Sequence, residues 1–87
     1  MICYILGVDI ICEVSVSTGQ IDMIIQTQKT VYIFELKLNQ SAIVALTQIQ
    51  TRRYYEKYLN SGKNVILVGL NFEYESKLIT AQWMNAL

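Results

Sequence analysis

The sequence predicts a single α/β domain, and three observations lead to that fold class. Three β-rich runs come first, an amphipathic helical run follows them, and a short continuous apolar run comes after the helix. The chain has 87 residues, of which 53% are hydrophobic and 16% are charged, and it contains no proline. A chain of this length forms one small domain, and this composition suffices for a packed core. We therefore expect residues 1–87 to fold as one unit.

The first half of the chain predicts a three-stranded antiparallel meander. Residues 10–16 are rich in β-branched side chains and end at the turn residues 17–20. Two further β-rich runs, 21–27 and 30–38, are separated only by Gln28-Lys29. Connections this short join neighbouring antiparallel strands, so the three runs predict two consecutive hairpins.

The second half predicts a helix and then a buried strand. Residues 41–59 place apolar side chains at helical spacing, and Ser41 suits the N-cap because its hydroxyl can accept a backbone hydrogen bond. Residues 65–70 form a short apolar run, which is typical of a strand covered on both faces. This order implies a right-handed crossover, with 65–70 parallel to 30–38. For residues 78–84, an edge strand and a short helix both remain open.

Charge and residue type exclude several functional classes. Seven Lys and Arg balance seven Asp and Glu, so the totals show no basic footprint for nucleic acid. The absence of histidine from the sequence excludes sites that need an imidazole base or a histidine-ligated metal. Cys3 and Cys12 lack the spacing of a zinc site, and we expect buried thiols in a cytoplasmic protein.

The N-terminal residues 1–16 are apolar but do not predict a membrane span. Asp9 and Glu13 interrupt the run, which is also shorter than the roughly 20 residues that a membrane helix needs. Residues 1–6 end at Gly7, a residue common just past a helix end. They are therefore either the last turn of a helix or an early strand.

The two-residue connection between the second and third strands sets the register of their hairpin. In that register Asp22 lies directly opposite Glu35, and opposite residues share a face of the sheet. Lys37 lies on the same face because side chains alternate, and the first hairpin adds Glu13 as a third carboxylate. We expect the opposite face to be the main core, and it carries Ile21, Met23, Ile25, Tyr32, Phe34, Leu36 and Leu38.

Three carboxylates and one lysine on a single sheet face require electrostatic compensation. Directly paired side chains have Cβ atoms about 5 Å apart, and like charges at that separation destabilise a sheet. A hard divalent cation, Mg²⁺ or Mn²⁺, held by carboxylate and backbone carbonyl oxygens would compensate them. The alternative is a solvated sheet face on which Lys37 pairs with an acid. Spacing alone leaves both interpretations open.

These residues also lie within three segments that resemble one known family. The segments are Gly19-Gln20-Ile21-Asp22, Phe34-Glu35-Leu36-Lys37, and Ala45-Leu46-Thr47-Gln48-Ile49 with the following Tyr54. They resemble the PD-(D/E)XK nuclease superfamily, in particular the nuclease-like domain at the C-terminal end of many bacterial AAA-ATPase-like proteins. The resemblance begins near Leu6 and continues through Tyr58, Gly62-Lys63, the strand at 65–69, Asn71-Phe72 and Trp83.

The resemblance implies a restriction-endonuclease-like fold and a role for each matching residue. Asp22 and Glu35 would bind Mg²⁺ or Mn²⁺ together with the carbonyl of Leu36. Lys37 would orient or activate the attacking water, or stabilise the charge that grows on the phosphate. Gln48 would support the site from the helix, with Tyr54 as a secondary candidate. The implied partner is nucleic acid, DNA in preference to RNA, and longer relatives would carry an ATPase-like domain.

Two departures from the family pattern affect this expectation. The family usually has a basic residue where this chain has Gln20, and it places a whole helix before the first strand, where this chain has only residues 1–6. We therefore expect a domain that lacks most of its first helix and leaves apolar sheet surface exposed. Such a surface favours a homodimer or another homo-oligomer.

The end of the predicted helix carries two further groups of functional candidates. The basic group is either a phosphate-contacting patch or an ordinary basic helix end: Arg52, Arg53, Lys57 and Lys63. The tyrosines either stack on bases or pack the helix against the sheet: Tyr54, Tyr55 and Tyr58.

The resulting functional prediction is a metal-dependent hydrolase that cleaves nucleic-acid phosphodiester bonds. The alternative is a catalytically inactive nuclease fold that serves as an interaction or oligomerisation module, and a third interpretation is a fragment with no independent role. Asp22, Glu35, Lys37 and Gln48 favour the enzyme. Neutral charge, Gln20 and the expected lack of most of the first helix favour the inactive module.

Overall fold

The computed structural model describes residues 2–4, 11–17, 20–53 and 55–86. These residues form a six-stranded sheet with its strands in chain order. The elements are β1 (Ile2–Tyr4), β2 (Ile11–Ser17), β3 (Gln20–Gln26), β4 (Thr30–Leu38), α1 (Ala42–Arg52), α2 (Glu56–Leu59), β5 (Asn64–Glu73) and β6 (Leu78–Asn85). Neighbouring strands run antiparallel except β4 and β5, which are parallel. The described residues therefore form a mixed sheet, and two helices lie in the chain segment that connects its two parallel strands.

The hairpin of β3 and β4 has the register expected from its two-residue connection. Asp22 pairs with Glu35, and Ser15 of β2 pairs with Asp22. Thr27 closes the connection without a glycine, since its backbone N–H donates to the carbonyl of Thr30 at 2.8 Å. Its hydroxyl also accepts the backbone N–H of Thr30 at 3.0 Å. Local hydrogen bonds therefore hold the two carboxylates on one face.

Helix α1 begins as expected at Ser41 but ends earlier than the sequence predicted. The Ser41 hydroxyl accepts the backbone N–H of Val44 at 3.1 Å, which caps the helix. Arg53 adopts a left-handed conformation with φ of 59° and donates its backbone N–H to the carbonyl of Ile49. The prediction of one helix to Leu59 is therefore wrong, because this left-handed residue ends α1 and the short helix α2 follows separately.

The core lies on the face of the sheet that α1 covers. We call this the covered face, which carries Val31, Ile33 and Glu35, and we call the opposite face, which carries Tyr32, Phe34 and Val68, the open face. The buried hydrophobic cluster consists of Val31, Ile33, Leu46, Ile49, Val65 and Leu67. The prediction that the open face would be the main core is wrong, since its side chains are only half-buried or exposed and no described helix packs on it.

Gly69 explains how α1 can lie directly on β5. It pairs with Glu35 in the parallel register, so it lies on the covered face. A Cβ atom at this position would come within 2.3 Å of the Ala42 carbonyl oxygen and 2.5 Å of the Leu46 nitrogen. Only glycine lets the helix backbone approach this closely, and that approach holds the first half of α1 against β5 beside Glu35.

The two ends of the chain settle two open sequence predictions. Residues Ile2–Tyr4 form strand β1 on the edge of the sheet, paired with β2, so the helix-turn interpretation is wrong there. Pairing with the free edge of β2 explains why this apolar segment is extended. Leu78–Asn85 form the opposite edge strand, β6. No described helix has the length and apolar character needed to cross a membrane.

Candidate active site

The candidate site is centred on β4, a strand in the middle of the sheet. Glu35 and Lys37 point to the covered face, and Asp22 lies opposite Glu35 on β3. The Glu35 side chain is 0% exposed, whereas that of Asp22 is 29% exposed. The alternative interpretation, a solvated sheet face on which Lys37 pairs with an acid, is confirmed in its pairing, because Lys37 contacts Glu35, and wrong in its solvation, because both side chains are buried. One carboxylate lies inside the protein and the other is open to solvent.

Arg52 reaches both carboxylates from the last turn of α1. Its Nη1 atom lies 3.2 Å from Oε1 of Glu35 and 3.5 Å from Oδ2 of Asp22. The sequence analysis placed Arg52 only in a basic group at the helix end and missed this contact. Its spacing from Gln48 was the available signal, because residues four apart lie on the same side of a helix.

Lys37 adds a second positive charge on the other side of Glu35. Its Nζ atom lies 3.8 Å from Oε2 of Glu35, and its side chain is nearly buried. Burial raises the pKa of Glu35 above its usual value, and the nearby Asp22 carboxylate acts in the same direction. The positive charges of Arg52 and Lys37 oppose this rise. The fold therefore compensates the buried carboxylate only in part.

Gln48 lies beside Lys37 in a cavity at the edge of the site. The cavity has a volume of about 420 Å³ and is lined by Lys37, Gln40, Ile43, Val44, Thr47, Gln48 and Thr51. The Oε1 atom of Gln48 is buried and accepts no hydrogen bond from the described residues. A buried acceptor of this kind requires a donor, and a bound water or ligand in the cavity would supply one.

Asn71 holds the segment that leads from β4 into α1. It pairs with Lys37 in the parallel register and is almost fully buried. Its Oδ1 atom accepts the backbone N–H of Gln40 at 2.8 Å, and its Nδ2 atom donates to Oε1 of Glu73 at 2.7 Å. The sequence analysis included Asn71 only in the resemblance. Its position next to Lys37 indicates that it orients the start of the helix that carries Gln48.

The other predicted candidates have different outcomes. Glu13 lies on the covered face but is exposed, and no set of three metal-ligating side chains occurs among the described residues. The side chain of Leu36 is half-buried on the open face, and the predicted role of its backbone carbonyl as a metal ligand stays a prediction. Gln20 pairs through its backbone with Lys37, and Tyr54 lies outside the described residues.

The predicted basic and aromatic residues make several separate contacts. Arg53 pairs with Glu56 in solvent, and Lys63 donates to the carbonyl of Thr27 at 2.9 Å. The Nζ atom of Lys57 lies 5.2 Å from the centre of the Tyr58 ring. Tyr55 and Tyr58 pack against the core cluster. Arg52 contacts the two carboxylates, and a phosphate-contacting role for the basic group stays a prediction.

The two carboxylates fit a hard divalent cation. Asp22 and Glu35 already converge on one positively charged atom of Arg52, so their oxygens point to a shared position. Carboxylate oxygens are the ligands that Mg²⁺ and Mn²⁺ prefer. The buried Oε1 atom of Gln48 lies at the edge of the same site and lacks a donor among the described residues.

Comparison with known proteins identifies the class to which this fold and site belong. A family model of the PD-(D/E)XK nuclease superfamily matches residues 2–82, and the chain therefore belongs to that superfamily. It is also 34% identical over 84 residues to a protein of Azotobacter chroococcum mcd 1 described as an uncharacterized protein in the vnfD 5′ region. That alignment covers 94% of this chain and 16% of the relative, so the chain spans about one sixth of the relative's length. No solved structure gives a significant match.

Proposed function

We propose that this domain is a metal-dependent nuclease that hydrolyses phosphodiester bonds in nucleic acid. The observation that carries the proposal is the convergence of Asp22 and Glu35 on one cation position, with Lys37 next to Glu35. Membership of a nuclease superfamily supports the same conclusion. We also propose DNA rather than RNA as the substrate, as the resemblance implied.

Each residue of the site has a distinct role in this proposal. Asp22 and Glu35 would hold Mg²⁺ or Mn²⁺, with the carbonyl of Leu36 as a further oxygen ligand. The bound metal would polarise the phosphate and lower the pKa of a water molecule. Lys37, whose ammonium group is nearly buried, would orient the attacking water or stabilise negative charge on the phosphate. Gln48 would accept a hydrogen bond from that water or from Lys37.

The assembly and context of the domain are part of the same proposal. The open face carries large exposed apolar side chains, including Val16, Ile79 and Trp83, and we propose that a second copy of the chain covers it. An ATPase-like domain in longer relatives and a cytoplasmic location complete the proposal. The first is compatible with the much greater length of the relative from Azotobacter chroococcum.

A second candidate function is an inactive nuclease fold that acts as an interaction module. The observation that favours it is the guanidinium of Arg52, which lies between the carboxylates where an active site needs a metal. If this ion pair is permanent, the carboxylates have a structural role and no turnover occurs.

Metal-dependent cleavage assays distinguish the two functions. Purified wild-type chain should degrade single- or double-stranded DNA or RNA in Mg²⁺ or Mn²⁺, and a chelator should stop it. Glu35→Gln and Lys37→Ala should each reduce the rate by about 100-fold or more, because each removes charge at the reacting group. Glu56→Gln and Lys29→Ala are matched controls at exposed positions and should keep wild-type rates.

Equal residual activity in wild type and Glu35→Gln would mean that a contaminant is responsible. The interaction module would then be the better account. Chromatography of each variant beside wild type, together with circular dichroism, shows whether loss of activity reflects loss of the fold.

A further inference from the structure

Arg52 places one guanidinium nitrogen within 4 Å of both candidate metal ligands, Asp22 and Glu35. We propose that it is a built-in competitor for the metal: its guanidinium occupies the position between Asp22 and Glu35 and must leave before a divalent cation binds. Arg52 would therefore set the metal concentration at which the site loads. This inference rests on the metal site proposed above.

The geometry makes the two cations mutually exclusive. A single nitrogen of Arg52 lies 3.2 Å from one Glu35 oxygen and 3.5 Å from one Asp22 oxygen. A divalent metal shared by both residues would need oxygens of the same two carboxylates at about 2.0 to 2.2 Å. The metal and the guanidinium nitrogen would then lie in the same space. Strong electrostatic repulsion between them adds to this exclusion.

The same contacts indicate that Arg52 can be displaced. Both distances exceed the range of about 2.7 to 2.9 Å that is typical of strong charge-assisted hydrogen bonds. The Arg52 side chain is 39% exposed and lies in the last turn of α1, so it has access to solvent. The partly exposed Asp22 also provides a route by which a metal can enter. A loose, accessible ion pair suits a reversible competitor.

Lys37 does not compete with the metal in the same way, although its side chain is more buried than that of Arg52. Its Nζ atom lies 3.8 Å from Oε2 of Glu35, whereas Arg52 contacts Oε1 of the same carboxylate. A metal between the two carboxylates would therefore leave Lys37 in place. The competition is specific to the residue at the end of α1.

Titration with Mn²⁺ tests this proposal without an activity assay. Wild type, Arg52→Gln and Arg53→Gln are compared by isothermal calorimetry and by the electron paramagnetic resonance signal of free Mn²⁺. Arg52→Gln should bind Mn²⁺ about tenfold more tightly than wild type, because the metal no longer displaces an ion pair. Arg53→Gln removes the same charge at the next residue, where Arg53 pairs with Glu56 instead of the two carboxylates. Its Mn²⁺ affinity should equal that of wild type.

Nuclear magnetic resonance of the wild type gives a direct second readout. Addition of Mg²⁺ should shift the guanidinium Nε–H signal of Arg52 and leave that of Arg53 unchanged. If Arg52→Gln does not fold, Arg52→Lys retains the charge but loses the planar fork, and its Mn²⁺ affinity should still exceed that of wild type.

The possible outcomes separate this inference from the proposed function. Equal Mn²⁺ affinity in wild type and the Arg52 variants would overturn the competition and leave the metal site in place. Weaker binding in the Arg52 variants would also overturn it, since Arg52 would then support the metal. No binding of Mn²⁺ by any folded variant would overturn both the competition and the metal-dependent function.

Discussion

The two faces of the sheet contrast in composition and in burial. The covered face contains the buried charged residues Glu35 and Lys37, yet it also contains the packed core. The open face is formed on its central strands by aromatic and aliphatic residues, yet those residues remain half-exposed. A face of this sheet is therefore buried because a helix packs on it. Its content of apolar residues does not determine its burial.

This contrast also separates stability from function. Burial of the aliphatic cluster on the covered face stabilises the fold. Burial of the Glu35 carboxylate on the same face opposes part of that stabilisation. The open face holds apolar surface from which this chain, in its described part, gains little.

Gly69→Ala should have the largest effect, because it separates α1 from the covered face. The new Cβ atom would collide with the helix backbone at Ala42 and Leu46. We expect the free energy of unfolding to fall by about 4 kcal/mol or more, measured by urea denaturation. Gly62→Ala is the control: no atom lies within 4 Å of its Cβ position, and its positive φ should cost only about 1 kcal/mol. Equal losses in the two variants would contradict the close approach of α1.

A matched pair of isoleucines compares the faces directly. Ile33 is fully buried on the covered face, whereas Ile79 on β6 is 66% exposed on the open face. Ile33→Ala should lower the free energy of unfolding by about 3 to 4 kcal/mol and Ile79→Ala by less than about 1 kcal/mol. Urea denaturation of both variants at the same low protein concentration gives the comparison. A larger loss for Ile79→Ala would show that the open face is the real core.

Self-association should depend on the open face. Trp83 is 65% exposed there, and Trp83→Ser should weaken the proposed homodimer by about tenfold in dissociation constant. Ile43→Ser, at an exposed position on α1, should leave the dimer unchanged. Sedimentation velocity over a series of micromolar concentrations measures both. A wild-type chain that stays monomeric throughout the series would rule out the dimer.

The buried charge on the covered face should give the smallest effect, on pH-dependent stability. Because burial raises the pKa of Glu35 above its usual 4.5, folding favours the protonated carboxyl, and the stability of the metal-free protein falls as pH rises through the folded pKa. Glu35→Gln removes this loss and should be more stable than wild type at neutral pH. Thermal unfolding below the usual pKa should show little difference. Lower stability of Glu35→Gln at neutral pH would mean that the ion pairs with Arg52 and Lys37 outweigh the burial.

Local features of the sequence were sufficient to predict the carboxylate pair. A two-residue connection leaves few registers open, and Thr27 closes it with its own side chain, so Asp22 and Glu35 follow from spacing alone. The choice of core face did not follow, because it depends on the long-range contact of α1 with Gly69. Both faces of β4 also carry apolar residues, so pattern alone cannot choose between them.

The contact of Arg52 was harder to predict for a related reason, although its spacing from Gln48 placed it on the same side of the helix. Its position depends on where α1 ends and on how a long side chain turns back towards the sheet. The helix ends at Arg53, a left-handed residue that is not glycine, and no Gly or Pro marks that position in the sequence. The residues that hold a site in place are thus harder to predict than the residues that define it.

The parallel pairing of β4 with β5 has a consequence for the order in which the protein folds. The β3–β4 hairpin closes over a short loop, whereas the pairing that joins Thr30 to Asn64 must close a loop containing both helices. Loop-closure entropy makes the hairpin the faster step, and long-range pairing of this kind slows folding. The two carboxylates therefore meet early and repel each other until α1 docks on Gly69 and delivers Arg52. We expect added salt, which screens that repulsion, to accelerate refolding.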